Sequence, residues 1–162
     1  MSATFSACGN YRYRLEREID PAGRGMVAWV MLNPSTADAN VDDQTIRRVR
    51  HFSAQGFDSV SRVVVVNLYA LRSTRPSGLC EATDAQGPRN TWHVRRVLDA
   101  ADHVVAGWGA SVPVWRRENP SRVLGLLEGR PLWCLGQTAG GDPCHPLRIA
   151  GDRPMRRWRL PR

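Results

Sequence analysis

The sequence predicts an α/β fold: a three-layer α/β/α sandwich around a mainly parallel central sheet of four to five strands. Three observations predict it. Strand-like and helix-like segments alternate along the chain, the order that builds a parallel sheet with helices on both faces. The two best strand signals, "MVAWVML" (26–32) and "SRVVVVNLY" (61–69), are continuous apolar runs of the kind covered on both sides. The length of 162 residues, 42% of them hydrophobic, suits one domain with one core, so 1–162 is read as a single unit.

Each element has its own justification. "YRYRLERE" (11–18) alternates and reads as an edge strand, and "DPAGRG" (20–25) as a turn. "MVAWVML" follows as the first buried strand. "DDQTIRRVRHFSAQGF" (42–57) has one apolar side in Ile46, Val49 and Phe52, and Gly56 stops it as a helix. The four valines at 63–66 mark the second buried strand. "NTWHVRRVLDAA" (90–101) is a helix with Asn90 or Thr91 as its cap. "HVVAGWG" (103–109) is a third strand, a helical segment covers about 113–127, and "RPLWCLG" (130–136) is a fourth strand. The Gly- and Pro-rich stretch 137–154 is a loop.

The formal net charge is +8, and all 23 basic residues are arginine. Exclusive arginine usage is what a GC-rich genome writes, but the net excess is not explained by codon choice. Guanidinium forks fit phosphate oxygens, which makes nucleic acid the expected partner. No apolar run is long enough to span a membrane, and the N-terminus turns charged too soon for a secretory signal. A cytoplasmic protein, a monomer by default, is therefore expected. The four cysteines, at 8, 80, 134 and 144, form no C-x-x-C pair and no His/Cys cluster, so no metal site and no cofactor is expected. Cys134 and Cys144 flank a Gly-rich loop and read as reduced, partly buried neighbours.

Ligand sites in parallel sheets collect beyond the carboxyl ends of the strands. The unusual residues of this chain follow strands directly. Asn33-Pro34-Ser35 ends the first buried run, Asn67 the second and Gly107–Gly109 the third, and His145 lies in the loop after the fourth. An asparagine before proline also opens ordinary turns. At a sheet edge, however, its carboxamide can orient a water molecule or a ligand, although it does not titrate and is no general base. Asp42 and Asp43 begin the helix at 42–57 and suit its dipole, and one of them is also placed to be a base or a charge stabiliser. The Asn67 amide offers a donor and an acceptor together, the pairing that reads a nucleobase edge. Tyr69 either stacks on a base or packs, and Arg72, Arg75 and Arg148 either bind phosphate or are solvated. His145, flanked by Pro143 and Pro146, suits hydrogen bonding to an oxyanion.

These motifs resemble the uracil-DNA glycosylase superfamily. "MLNPS" (31–35) is similar to the superfamily's strand-ending Asn-Pro motif, "VNLYALRSTRP" (66–76) to its base-reading asparagine segment, and "HPLR" (145–148) to its late His-Pro loop. Over almost the complete chain, about 10–155, "LNPSTAD", "VVNLYALR", "GPRN", the Trp-Gly strand end and "HPL" resemble domain of unknown function 1643. The superfamily resemblance implies a DNA glycosylase that flips a modified, damaged or mismatched base out of the stack and hydrolyses its N-glycosidic bond. Asn33 would then place the water, Asp42 or Asp43 would stabilise the sugar cation, Asn67 would read the base and His145 would meet the departing oxyanion. Pro34, Ser35 and Tyr69 would shape the substrate pocket, and Arg72, Arg75 and Arg148 would hold phosphates. Met31 stands where the superfamily's motif has glycine, Leu147-Arg148 replace its Ser-Pro continuation, and its four-cysteine cluster is absent. Two alternatives remain open at this point: an enzyme acting on a free nucleotide or an RNA base, and a non-catalytic module for recognising modified bases.

Overall fold

The computed structural model describes residues 1–35, 37–75, 77–110 and 121–161. Strands β1 (Ser2–Phe5), β2 (Arg12–Glu18), β3 (Gly25–Met31), β4 (Val60–Asn67), β5 (His103–Ala106), β6 (Leu132–Cys134) and β7 (Arg156–Trp158) form one mixed sheet. Its order is β1-β2-β4-β3-β5-β6-β7. Helices α1 (Gln44–Gly56), α2 (Ser77–Glu81), α3 (Asn90–Ala100) and α4 (Ser121–Gly125), with a 3₁₀ turn at Pro146–Arg148, complete the described elements.

The sheet corrects the expectation of four to five strands: it has seven. Four of them, β4-β3-β5-β6, are mutually parallel, and antiparallel strands extend both sides. The segment at 11–18 is not an edge, because β2 pairs with β1 on one side and β4 on the other. Strands β1 and β7 carry no periodic signal in the sequence because they are only four and three residues long. Of the helical segment expected at 113–127, residues 113–120 lie outside the described residues, and α4 falls in the remainder. Among the described residues no helix is long and apolar enough to cross a membrane.

The buried strands divide their side chains between two cores. Val27, Trp29, Met31, Val63, Val65 and Val105 pack on one face with Ile46, Val49 and Phe52 of α1. Ala28, Val30, Val64, Val66 and Val104 pack on the other face with Val94, Val97 and Leu98 of α3 and Val123 of α4. Alternation within a continuous apolar strand fills both faces, so helices cover both. The one polar group of the Trp29 ring is satisfied inside the core: Nε1 donates to Ser53 Oγ at 2.8 Å, and that hydroxyl donates to Val49 O at 2.8 Å.

The topology positions the site. From β3 the chain passes through α1 to β4 on one side of β3. From β5 it continues to β6 on the other side, with α4 between them. Helices α1 and α4 thus lie on opposite faces, and β4 and β6 on opposite sides of the β3–β5 pair. A crevice opens where the two paths part, at the carboxyl ends of these two neighbouring strands.

A candidate ligand cleft at the carboxyl edge of the sheet

A cleft of about 640 Å³ occupies that crevice. Met31, Val65 and Asn67 contribute from the sheet, and Asp43, Thr45 and Ile46 from the start of α1. Asn33, Ser35, Ser73 and Thr74 line it from the loops after β3 and β4. Trp108, Gly109, Thr138, Cys144, His145, Leu147 and Arg148 close it from the β5 and β6 ends, and Arg12 lies at its other end on β2.

Asn33 is fixed by its neighbours. Its Nδ2 donates to Pro34 O at 3.0 Å and to Ser73 O at 2.8 Å. Two carbonyl acceptors can be met only by the nitrogen end, so the amide orientation is determined and Oδ1 is left as an acceptor for the cleft. Pro34 does not line the cleft. Its carbonyl instead accepts from Asn33 Nδ2 and from the Ser73 amide at 3.0 Å, joining the two loops.

Asn67 is the opposite case. It ends β4 with 1% exposure, and among the described residues neither Nδ2 nor Oδ1 has a hydrogen-bond partner. Its main chain is held firmly, since Asn90 Nδ2 donates to Asn67 O at 2.9 Å and to Leu68 O at 3.1 Å. This corrects the expectation that Asn90 or Thr91 caps α3 through its side chain. The N-cap is Arg89, which makes no side-chain cap bond. A fixed backbone carrying an unpaired amide is unusual, because a buried polar group without a partner carries a full desolvation penalty.

The two aspartates have separate surroundings. Asp43 caps α1, Oδ1 accepting from Ile46 N at 2.9 Å, and it lines the cleft. Asp42 is absent from the cleft lining and is held in ion pairs, with Arg17 Nε at 2.5 Å and Arg50 Nη1 at 3.3 Å. Arg17, fully buried on β2, also bonds the carbonyls of Asp38 and Val41. Asp42 therefore anchors the loop that leads into α1.

His145 sits in a loop clamped from both sides. Gly109 N donates to Pro143 O and Cys144 N to Gly136 O, both at 2.9 Å, while Arg48 of α1 reaches the carbonyls of Pro146 and Ile149. Gly109 has φ +78°, and a Cβ there would stand 3.1 Å from His145 Cβ, so both its conformation and its space call for glycine. His145 Nδ1 accepts from Leu147 N at 3.3 Å, which leaves Nε2 as the donor of the neutral ring. Burial, aided by the Arg148 charge and opposed by Asp43, lowers its pKa.

Tyr69 is 1% exposed within the α3-side core and does not line the cleft, so of its two roles it is placed to pack. Arg72 is exposed, donates to Gly9 O at 3.3 Å and lies over the Phe5 ring at 5.2 Å. Arg75 is exposed away from the cleft, and Arg148 is exposed at its rim. The structure thus gathers Asn33, Ser35, Asp43, Asn67, His145 and Arg148 around one space, and leaves Pro34, Asp42, Tyr69, Arg72 and Arg75 outside its lining. Cys134 is buried, which raises its pKa, and Cys144 lines the cleft; both thiols are free. Among the described residues no group of three or more His, Cys, Asp or Glu is arranged around a metal position.

Sequence reasoning misses Arg12. In an alternating strand, arginine at 12 and 14, on the face opposite Tyr11, Tyr13 and Leu15, reads as solvent-facing. Yet Arg12 is only 3% exposed and lines the cleft. A register shift against β1, where Thr4 faces Arg14 and Phe5 faces Arg12, leaves Tyr13 over as an extra residue. As a result Tyr13 stacks on His93 of α3, with ring centroids 4.6 Å apart, while Leu15 enters the core on the α1 side. Two residues of one parity on opposite faces require a bulge between them, and a bulge re-aims its neighbours. Arg12 turns to the cleft, where Nη1 donates to Ala37 O at 2.6 Å.

The fold and cleft define an α/β protein with a candidate site at the switch point, assembled around four strand ends. The chain belongs to the family described as protein of unknown function (DUF1643), whose model matches residues 12–147. The matched stretch runs from Arg12 to Leu147, and of the cleft residues only Arg148 lies beyond it. No curated protein and no solved structure matches the chain significantly.

Proposed function

We propose that this protein is a DNA glycosylase-like hydrolase, which seats a flipped-out base in the cleft and cleaves its N-glycosidic bond. The observation that carries the reading is Asn67: a rigidly held amide on the cleft floor with its donor and acceptor both unpaired. A planar ring presenting an acceptor beside a donor satisfies both at once. The order of the three motifs, Asn-Pro, strand-end Asn and His-Pro, adds the resemblance to the uracil-DNA glycosylase superfamily. The surplus of positive charge suits a phosphodiester partner.

The chemistry follows from the donors and acceptors. Asn33 Oδ1 accepts a hydrogen bond from a water molecule and turns its oxygen lone pair toward C1′. The C1′–N bond breaks as the sugar develops positive charge, which the Asp43 carboxylate stabilises. The bonding pair leaves with the base, and His145 Nε2–H donates to the base oxygen on which that charge collects. Water adds as hydroxyl at C1′, and its proton leaves through Asp43 to solvent or to the departed base.

The test is base release from oligonucleotides carrying uracil, hypoxanthine, xanthine, thymine mismatches or modified pyrimidines, read by mass spectrometry. One of these is expected to lose its base to the wild type, and release is expected to disappear in Asn33→Ala and His145→Ala proteins that melt normally. Turnover that survives in both variants would refute the assignment. So would failure to release or bind any member of the panel.

A further inference from the structure

The two buried arginines of β2 are treated differently. Arg17 has a carboxylate against it, Asp42 Oδ1 at 2.5 Å, and bonds to loop carbonyls. Arg12 has no carboxylate within ion-pair distance among the described residues. Among the described residues its guanidinium bonds only Ala37 O, through Nη1, and the buried Nε has no partner. A guanidinium taken out of water is costly unless an anion faces it. Asp43 acts on it only from a distance, and burial holds its pKa down to about 10, which still leaves Arg12 charged at neutral pH.

Its position is informative as well. Along the sheet edge the cleft residues come in the order Arg12 on β2, Asn67 on β4, Asn33 after β3, and Gly109 with His145 after β5. At a strand spacing of about 4.8 Å, the β2 and β5 ends stand roughly 14 Å apart. Arg12 is therefore beyond Asn67 as seen from His145. A ring lying between Asn67 and His145 turns one side toward Arg12.

We infer that the ligand of this cleft carries a compact anionic oxygen group, either a carboxylate on the ring or a phosphate, and that Arg12 binds it beside the edge met by Asn67. The inference rests on the reading of the cleft as a base site and names the class of base or nucleotide it accepts. The β2 bulge is what delivers the cation, so the selectivity is built into the strand and not into the exposed arginines of the surface.

Calorimetric titration compares two matched pairs: uracil with 5-carboxyuracil, and deoxyuridine with deoxyuridine 5′-monophosphate. One anionic member is expected to bind about ten-fold or more tightly than its neutral counterpart, the scale of a charge-assisted hydrogen bond. The pair that shows the preference identifies the source of the charge. Arg12→Gln is expected to abolish the preference, bringing the anionic member to the affinity of its neutral counterpart in the same variant. If Arg12→Gln fails to fold, Arg12→Lys, which keeps the charge and loses the fork, is expected to retain only part of it. No preference in the wild type, or an equal preference in Arg12→Gln, overturns the inference. In either case, neutral-ring binding that is lost in Asn67→Ala would leave the base-site reading standing. If none of the four compounds binds, both fall.

Discussion

Replacing Asn67 by leucine is expected to stabilise the protein, against the usual direction of a change in a core. The side chain is 1% exposed, and among the described residues both of its polar atoms are buried and unpaired. An unsatisfied buried polar atom costs about 1–3 kcal/mol, and deleting it with an apolar group of similar volume removes that cost. Leucine would meet Val65 and Met31, apolar residues of the same face. Not all of two such penalties is recovered, because leucine's branching differs from that of the amide. A net gain of about 1–3 kcal/mol is the expectation. For a chain of 162 residues each 1 kcal/mol moves the melting temperature by about 2–4 °C, so Tm rises by about 2–12 °C. The assay is thermal melting paired with urea unfolding, in which the midpoint should rise with an unchanged slope. Binding and turnover should vanish in the same variant, as expected of a residue kept for a ligand at the fold's expense. A melting temperature below that of the wild type, with the slope unchanged, would show that the amide holds the fold together, and the reasoning would fail.

Three further outcomes follow from the same geometry. Arg17→Met is expected to cost about 3 kcal/mol in urea unfolding, since it leaves Asp42 without its buried partner and frees the carbonyls of Asp38 and Val41; a loss under 1 kcal/mol would mean the pair is only decorative. Asp43→Ala removes the α1 cap and is expected to cost about 1 kcal/mol by thermal melting, with no change expected at Asp42. His145 followed by NMR should titrate below its ordinary 6.5, moving up in Arg148→Ala and further down in Asp43→Asn. Because the folded ring favours the neutral form, the unfolded chain takes the proton first. The stability from His145 is therefore present above about pH 6.5 and lost as pH falls through that value toward the folded pKa. A pKa that falls in Arg148→Ala or rises in Asp43→Asn, or one above 6.5 in the wild type, would contradict this.

The parallel centre of the fold is legible in the sequence because "MVAWVML" and the valine run can be satisfied only by a strand covered on both faces. The convergence of Asn33, Asn67 and His145 follows from that, since residues after parallel strands share an edge. Other features depend on contacts that no local pattern encodes. β1 and β7 are held by backbone pairing to neighbours already in place. Asp42 looks like a first-turn acid until Arg17, 25 residues away in sequence, is brought against it. Asn90 has the composition of a cap, but β4 offers its amide two carbonyls. Arg12 is hidden most completely. Only the bulge at Tyr13 separates a solvent-facing arginine from one inside the cleft, and a bulge is a matter of strand pairing and not of composition.

The most direct measurement is the side-chain amide resonance of Asn67 in ¹⁵N-labelled protein, assigned by its loss in Asn67→Leu. It should be followed on adding the oligonucleotide whose base is released or, where none is, each free base in turn. A ring edge docked on that amide predicts a large shift of the Asn67 NH₂ signals together with slowed exchange, while the Asn33 NH₂, already bonded to Pro34 O and Ser73 O, moves little. Binding or turnover that leaves the Asn67 amide unmoved would contradict the account at its centre.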